Sequence, residues 1–515
     1  MSLKNAVPRR PDESTSIVLI LCLIVGPFLT MLDSSVVNVA LPDIASAYNS
    51  TLTDVQWVLS GYLLALAAVI VACAFLSKRF GASKVYLASL AGFTVASAAC
   101  AFAPSLGWLI ALRALQGAFG APLVPVAMDL LIGGHTSGRH KIPVAFGIIL
   151  FLAPAIGPTV GGILINYVGW PSVFLINVPI GAAATLCLLY NNVIRSRDVL
   201  VKGVRFDVIG TVALAAGLVL TLYGSTEGAN NGWLSMAALP FLASGAALIL
   251  FYLAWAFSRP KPAVDLKLLQ SRETALTLLI CVVAAIIMFG VLFLVPVVMQ
   301  SVQGYSAMDT GLAMLPQGLV MGIGVVIGDT VYNKKLLPIR TTVMAGMLLL
   351  AVSTASLLWF SASTPAWASA IILSIRGFAI GLTIQPLLYE MLSTLEPTES
   401  SDGNTLFNVV QRVSGSVGIS ALATIFQTQA TGYITDALRG FPVPAGSVHI
   451  GQGATSLASL PAAIRDPISA AAIHGFHDAV LVLIALSFIG FALSLFIKPV
   501  AQKRSGEIPR PEAIV

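Results

Sequence analysis

The chain has 515 residues, of which 57% are hydrophobic and only 10% charged, with a mean hydropathy of +0.92. Soluble domains carry about 25% charged residues, so this composition excludes a soluble enzyme and implies repeated membrane spans. The formal net charge is +6, and the placement of the basic residues decides whether that excess concerns nucleic acid or the membrane.

After an N-terminal tail over 1–16, the first apolar run covers 17–41. Arg9 and Arg10 precede it as in a signal peptide, but the run is long enough to span, so an uncleaved first helix is expected, ending at Pro42. Within it, FLTMLDSSVVNVALPDI (28–44) carries a single carboxylate, Asp33. A charge in hydrocarbon costs at least ~2.5–3.5 kcal/mol, which marks Asp33 as a functional candidate. Further spans are predicted at 54–76, 85–104, 107–131, 142–167 and 172–193, completing a six-helix unit over 17–193. A polar linker follows, then a pair at 207–225 and 233–257, forming an insert over 207–257. A second six-helix unit over 274–497 comprises 274–299, 310–328, 341–361, 366–391, 405–429 and 476–497, with a loop over 430–475 and a tail over 498–515. The expected fold is an all-α polytopic membrane protein of fourteen transmembrane helices.

With fourteen spans both termini share a side, and the positive-inside rule places them in the cytoplasm. Of the 28 Lys and Arg residues, 23 then lie on the cytoplasmic side and only Arg439 and Arg465 outside, with Arg113, Arg376 and Arg412 inside helices. The basic excess therefore reads as topology, and no nucleic-acid partner is expected. The halves also look duplicated. Arg113 and Arg376 each lie in an inward-running helix with glycines and Pro122 or Pro386 beyond, and GPTVGG (157–162) finds an echo in GSVG (415–418). Such internal repeats are characteristic of secondary transporters.

LDSSVVNVALPDI, RALQGAFGAPLVP, APAIGPTVGG, WPSVFLINVPIG, GYSAMDTGLAMLPQGL and NVVQRVSGSVGISAL together resemble the fourteen-helix drug:proton antiporters of the major facilitator superfamily, over about 25–500. The resemblance implies two six-helix bundles plus two inserted helices, rocking about a midplane cavity. It implies export of amphipathic, cationic drugs or dyes across the bacterial cytoplasmic (inner) membrane. The drive would be the proton-motive force, with no cofactor.

Asp33 and Arg113 lie roughly 12 Å and 9 Å below the outer boundary by helix rise, so the two charges share a depth. In the resembled fold both helices line the cavity. A protonated Asp33 would release its partner and an ionised one would hold a cationic substrate; the alternative is a static ion pair joining two helices. The resemblance makes Gly157, Pro158, Gly161 and Gly162 the antiporter motif, where small residues admit a close helix and Pro158 permits a bend. Trp57, Tyr62, Gln116, Arg376, Asn408, Gln411 and Arg412 are further cavity candidates.

The turn AFLSKRFGASK (74–84) departs from the family pattern G-x-L-a-D-R-x-G-R. It keeps Arg79 and Gly81 but has Lys78 where the family's gate-latching Asp stands, with the acidic loop 396–402 (Glu396, Glu399, Asp402) as a partner to consider. Asp129 and Asp329 are expected to be solvated near helix ends, and Glu390 to cap its helix. HGFHD (474–478) lacks completing ligands and reads as a polar helix start, so no metal is expected. His135 and His140 read as solvated. The five cysteines show no ligand spacing. No P-loop and no nucleophile–base grouping occurs, so the chain reads as no enzyme. Small amphipathic substrates, protons, lipid and a periplasmic adaptor are the expected partners. The rivals are a dedicated exporter of one metabolite, such as an amino acid or siderophore, and a membrane enzyme or sensor.

Overall fold

The computed structural model describes residues 17–50, 52–55, 57–133, 144–190, 207–259, 266–334, 336–393, 395, 400–438 and 461–497. Both tails, His135, His140, Glu396 and Glu399, the side chain of Asp402 and most of the expected outer loop lie outside them. Among the described residues all regular structure is helical, as hydrocarbon demands of backbone groups that water cannot satisfy. Twelve of these helices are long and apolar enough to cross a membrane. The other two expected spans are a broken helix, α3 (Trp57–Ile70) continued by α4 (Cys73–Phe80), and α8 (Val144–Val168), a 25-residue helix without a charged residue.

Several boundaries differ from the hydropathy reading. The first helix, α1 (Ile17–Ala47), continues through Pro42 instead of ending there; packed helices tolerate an internal proline because the freed backbone groups are satisfied locally. A short α2 (Leu52–Val55) precedes α3, and α5 (Ala82–Ala101) follows α4. The fourth span divides at Ala121–Pro122 into α6 (Leu106–Gly120) and α7 (Leu123–Gly133); Ala121 keeps helical geometry, but Pro122 has no N–H to donate to the preceding turn. The sixth divides into α9 (Ser172–Leu175) and α10 (Asn177–Tyr190). The 430–475 loop is shorter than expected, because α17 (Ser400–Ala437) and α18 (Ala462–Ser494) extend into it from both ends. The α18 extension is Ala-rich and has helical propensity, while Arg465, Asp466 and His474 interrupt its apolar pattern.

The insert is α11 (Val208–Asn231) and α12 (Leu239–Phe257); α13 (Arg272–Ser301), α14 (Ala307–Asn333), α15 (Ile339–Ala355) and α16 (Ala366–Ser393) precede α17. Helix α1 packs along α8 and α10, α3 on α6, α13 along α17, and α14 on α16. The repeat is visible in its glycines. A Cβ on Gly157 would collide with Ser35 and one on Gly161 would lie 3.2 Å from Val36, both on α1. In the same way Gly415 and Gly418 of α17 abut Phe289 and Ile286 of α13.

We call the membrane face where α1 begins proximal and the opposite face distal. The halves meet along α8–α14 and where α17 touches α3, α4 and α7. Helix α11 lies against both α3 and α17. Its Tyr223 stacks on Trp57 at 5.4 Å, while Trp233 beyond it donates from Nε1 to Thr424 Oγ1 at 2.9 Å. The insert is thus tied to both halves.

Candidate functional site: the Asp33 network

Asp33 and Arg113 are both wholly buried, although their side chains are the costliest kind to remove from water. Arg113 Nη1 donates to Asp33 Oδ2 at 2.5 Å and to Gln116 Oε1 at 2.7 Å, and Nε donates to the Val58 carbonyl at 3.1 Å. The guanidinium lies over the Tyr62 ring, 4.2 Å from its centroid, with Phe174 at 5.7 Å. On the other carboxylate oxygen, Oδ1, Asp33 accepts from Gln116 Nε2 at 3.1 Å and from Asn177 Nδ2 at 2.9 Å. Both amides also donate to Ser97 Oγ, at 3.1 and 2.9 Å, and Ser97 donates to the Phe174 carbonyl at 3.0 Å.

Six helices supply this network. Gln116 follows Arg113 by three residues, so one helical turn puts both on the same face of α6. Gly117 removes the obstacle to that face's approach, since a Cβ there would clash with the Tyr62 carbonyl on α3. Asn177 is the first residue of α10, placed by the break at Ile176, and Ser97 comes from α5. The arrangement gives one carboxylate a cation on Oδ2 and two amide donors on Oδ1. A proton arriving at Oδ2 would compete with Arg113, whose guanidinium keeps Val58, Gln116 and the Tyr62 ring as alternative partners. Arg113 Nη2 and Asn177 Oδ1 are buried without a partner among the described residues, so the network has unused hydrogen-bonding capacity to rearrange into.

The sequence places Asp33 beside Arg113 correctly in depth, and Gln116 and Tyr62 belong to the same cluster. Asn177 and Ser97 escape sequence reasoning. The one available signal is a lone Asn in the family string WPSVFLINVPIG; nothing local marks Ser97. Trp57 stacks on the insert instead of standing in this network. Gly157 and Gly161 seat α8 against α1 two and three residues beyond Asp33, whereas a Cβ on Gly162 would meet nothing within 4 Å. Pro158 is on α8 between them.

Arg376, in the corresponding helix of the second half, is also wholly buried but has no carboxylate among the described residues. It donates to Thr354 Oγ1 at 3.0 Å and to the Ile287 carbonyl on α13. Arg412 is partly exposed on α17, within electrostatic range of Tyr62 and Cys73 across the interface. Asn408 donates to Asn404 Oδ1 at 3.0 Å, and neighbouring Gln411 is partly buried.

At the proximal face Asn404 donates to Asp129 Oδ1 at 3.0 Å and to the Pro125 carbonyl at 3.2 Å, joining α17 to α7. Asp129, expected to be solvated, is therefore an acceptor between the halves. Asp329 accepts from Tyr389 at 2.8 Å. Glu390 is buried, with Oε1 lacking a donor among the described residues, which is not the expected capping role. Lys78 is partly buried and Arg79 exposed on α4, and Gly81 makes the turn into α5 with φ 94°, a conformation that favours glycine. In HGFHD, His477 Nε2 lies 2.9 Å from the Phe360 carbonyl, Asp478 accepts from Tyr433 at 3.0 Å, and His474 packs on Tyr433.

The chain is 31% identical over 426 residues to the multidrug export protein EmrB of Escherichia coli K12, covering 81% of this chain and 82% of that one. It is 30% identical over 417 residues to the tetracenomycin C resistance and export protein of Streptomyces glaucescens, covering 80% and 76%. The fold matches the proton:xylose symporter XylE with a TM-score of 0.57, at 11% identity over 94% of this chain and 96% of that one. A bacterial homologue of the lysosomal transporter Spinster, inward-facing, matches with a TM-score of 0.56 at 15% identity, covering 95% and 98%. Residues 23–419 match the family model of the Major Facilitator Superfamily, and with these export proteins among its relatives the chain belongs to that superfamily as a multi-pass membrane transporter.

Proposed function

We propose that the chain is a proton-coupled antiporter that exports amphipathic drugs or dyes, cations foremost, across the cytoplasmic membrane by alternating access. Its fourteen spans would leave both termini in the cytoplasm, so the proximal face is the cytoplasmic one. The observation that carries this reading is a wholly buried carboxylate, Asp33, neutralised by one hydrogen-bonded arginine from another helix.

A proton on Asp33 removes the charge that Arg113 neutralises, and a cationic substrate near Asp33 does the same. The two are exclusive at one carboxylate, which is the requirement for exchange. The electrical part of the drive is worth about 2.3 kcal/mol per charge per 100 mV. The drug-export names of the relatives support the substrate class, and Gly157 and Gly161 support the export direction through the antiporter motif.

The test is cationic-dye efflux from energised cells, wild type against Asp33→Asn at matched expression, with and without a protonophore. Efflux that the protonophore and Asp33→Asn each abolish is the expected result. Normal pumping by Asp33→Asn would move the proton site elsewhere, and absence of dye efflux in the wild type would end the multidrug reading.

A further inference from the structure

Exchange at Asp33 requires its carboxylate to part from Arg113 and return, and the helix that carries it is interrupted just below. Pro27 lies within α1 and has no N–H, so the Leu23 carbonyl one turn earlier has no backbone donor. The phenol of Tyr86, reaching in from α5, fills the gap. Its Oη donates to the Leu23 carbonyl at 2.8 Å, with the Cys22 carbonyl at 3.1 Å, and accepts from the Gly26 N–H at 3.1 Å. Gly26 admits the phenol, since a Cβ there would lie 2.6 Å from that oxygen. Tyr86 is only 1% exposed, so its hydroxyl is held among these backbone groups.

Above the proline, the side chains of α1 bond back onto its own carbonyls. Thr30 Oγ1 donates to the Pro27 carbonyl at 2.8 Å, and Ser34 Oγ donates to the Thr30 carbonyl at 3.1 Å. Such back-bonding bends helices, and a proline or a side chain inserted into the ladder kinks them. Tyr62, the ring beneath the Arg113 guanidinium, also donates to the Thr30 carbonyl, at 3.4 Å. Asp33 follows Pro27 by six residues, about 9 Å along the axis. The loosened segment therefore ends at the carboxylate.

We infer that Tyr86 is a positioning residue of the Asp33 site: its hydroxyl holds a hinge in α1 at Gly26–Pro27 and so fixes the angle at which α1 presents Asp33 to Arg113. Its part in transport rests on the proton-coupled reading above, whereas the hinge rests on the geometry of α1 and α5. A tilt of about 10° at Gly26 moves Asp33 by about 2 Å, enough to break its hydrogen bond to Arg113. The same tilt is steered by α8, because Ser35 and Val36 of the distal segment seat on Gly157 and Gly161. The titratable and charged groups facing Asp33 are Arg113 from α6, Tyr62 from α3 and Cys100 from α5, with the uncharged Asn177 from α10. Beside Tyr86 the titratable group is Cys22 of α1.

The experiment is a double-mutant cycle on Tyr86→Phe and Pro27→Ala, with the full chain in lipid nanodiscs and in proteoliposomes. Pro27→Ala gives the Leu23 carbonyl a backbone donor, which leaves the hydroxyl no gap to fill. In the wild-type background, Tyr86→Phe should speed amide exchange across 23–34 by about tenfold, read by mass spectrometry. It should also move the pH midpoint of cationic-dye transport up by about one unit, because a carboxylate less firmly held by arginine takes a proton more readily. In the Pro27→Ala background, Tyr86→Phe should change neither; lost packing alone would act in both backgrounds. Equal effects in the two backgrounds, unchanged exchange, or an unmoved midpoint in Tyr86→Phe each overturn the inference and leave proton coupling standing. Wild-type transport that ignores pH overturns the proton-coupled reading and with it the transport role of Tyr86, while the exchange data still decide the hinge.

Discussion

Arg113 and Asp33, 80 residues apart in sequence, are joined at 2.5 Å with no exposure of either side chain. Neither charge can be removed without leaving the other buried and uncompensated, which costs about 3–5 kcal/mol. Asp33→Asn should therefore lose efflux and also melt at a lower temperature, and Arg113→Gln should destabilise similarly. The double variant should recover most of the stability and none of the transport. Thermal unfolding in detergent alongside dye efflux checks this; full additivity of the two stability losses would show that the pair is not coupled.

Asn177 tests the network beyond the charges. Its amide serves both Asp33 and Ser97, and hydrogen bonds to a charged group contribute about 1.5–3 kcal/mol. Asn177→Ala should lower efflux substantially at normal expression, with Asn177→Gln failing to rescue, because the longer side chain misplaces the amide. Wild-type efflux from Asn177→Ala would remove it from the site.

The glycines of α8 should differ among themselves. Gly157→Ala places a Cβ against Ser35, and overpacking of this kind costs about 1–3 kcal/mol. It should reduce transport by displacing α1 at Asp33. Gly162→Ala meets open space and should transport normally. Equal effects from the two substitutions would show that the motif acts through something other than the α1–α8 contact.

Asn404→Ala should weaken the proximal closure, since it deletes the donor shared by Asp129 and the Pro125 carbonyl. A hydrogen bond of this kind contributes about 0.5–1.5 kcal/mol, so the population open at the proximal face should rise several-fold. Spin labels at Lys84→Cys and Leu336→Cys should report longer distances. An unchanged distribution would mean that α8–α14 packing closes this face by itself.

The sequence by itself determined the class and most of the architecture, for reasons that are local. Apolar runs near spanning length gave the helices, and Asp33 stood out because hydrocarbon makes a lone carboxylate expensive. Helix rise placed Asp33 and Arg113 at a common depth, and i, i+3 spacing put Gln116 beside Arg113. Tertiary structure decided what lies between helices. Asn177 reaches Asp33 from 144 positions away in the chain, and Ser97, 64 positions away, accepts from that same amide, so no window holds the contacts. The breaks that define α6, α7 and α10 turn on proline and packing, and α1 continues past Pro42 because neighbouring structure permits it. Arg113 and Arg376 look equivalent in sequence, yet among the described residues only Arg113 meets a carboxylate. Helix α1 presents a side-chain acid where α13 presents a backbone carbonyl, and that difference arises only when the helices pack.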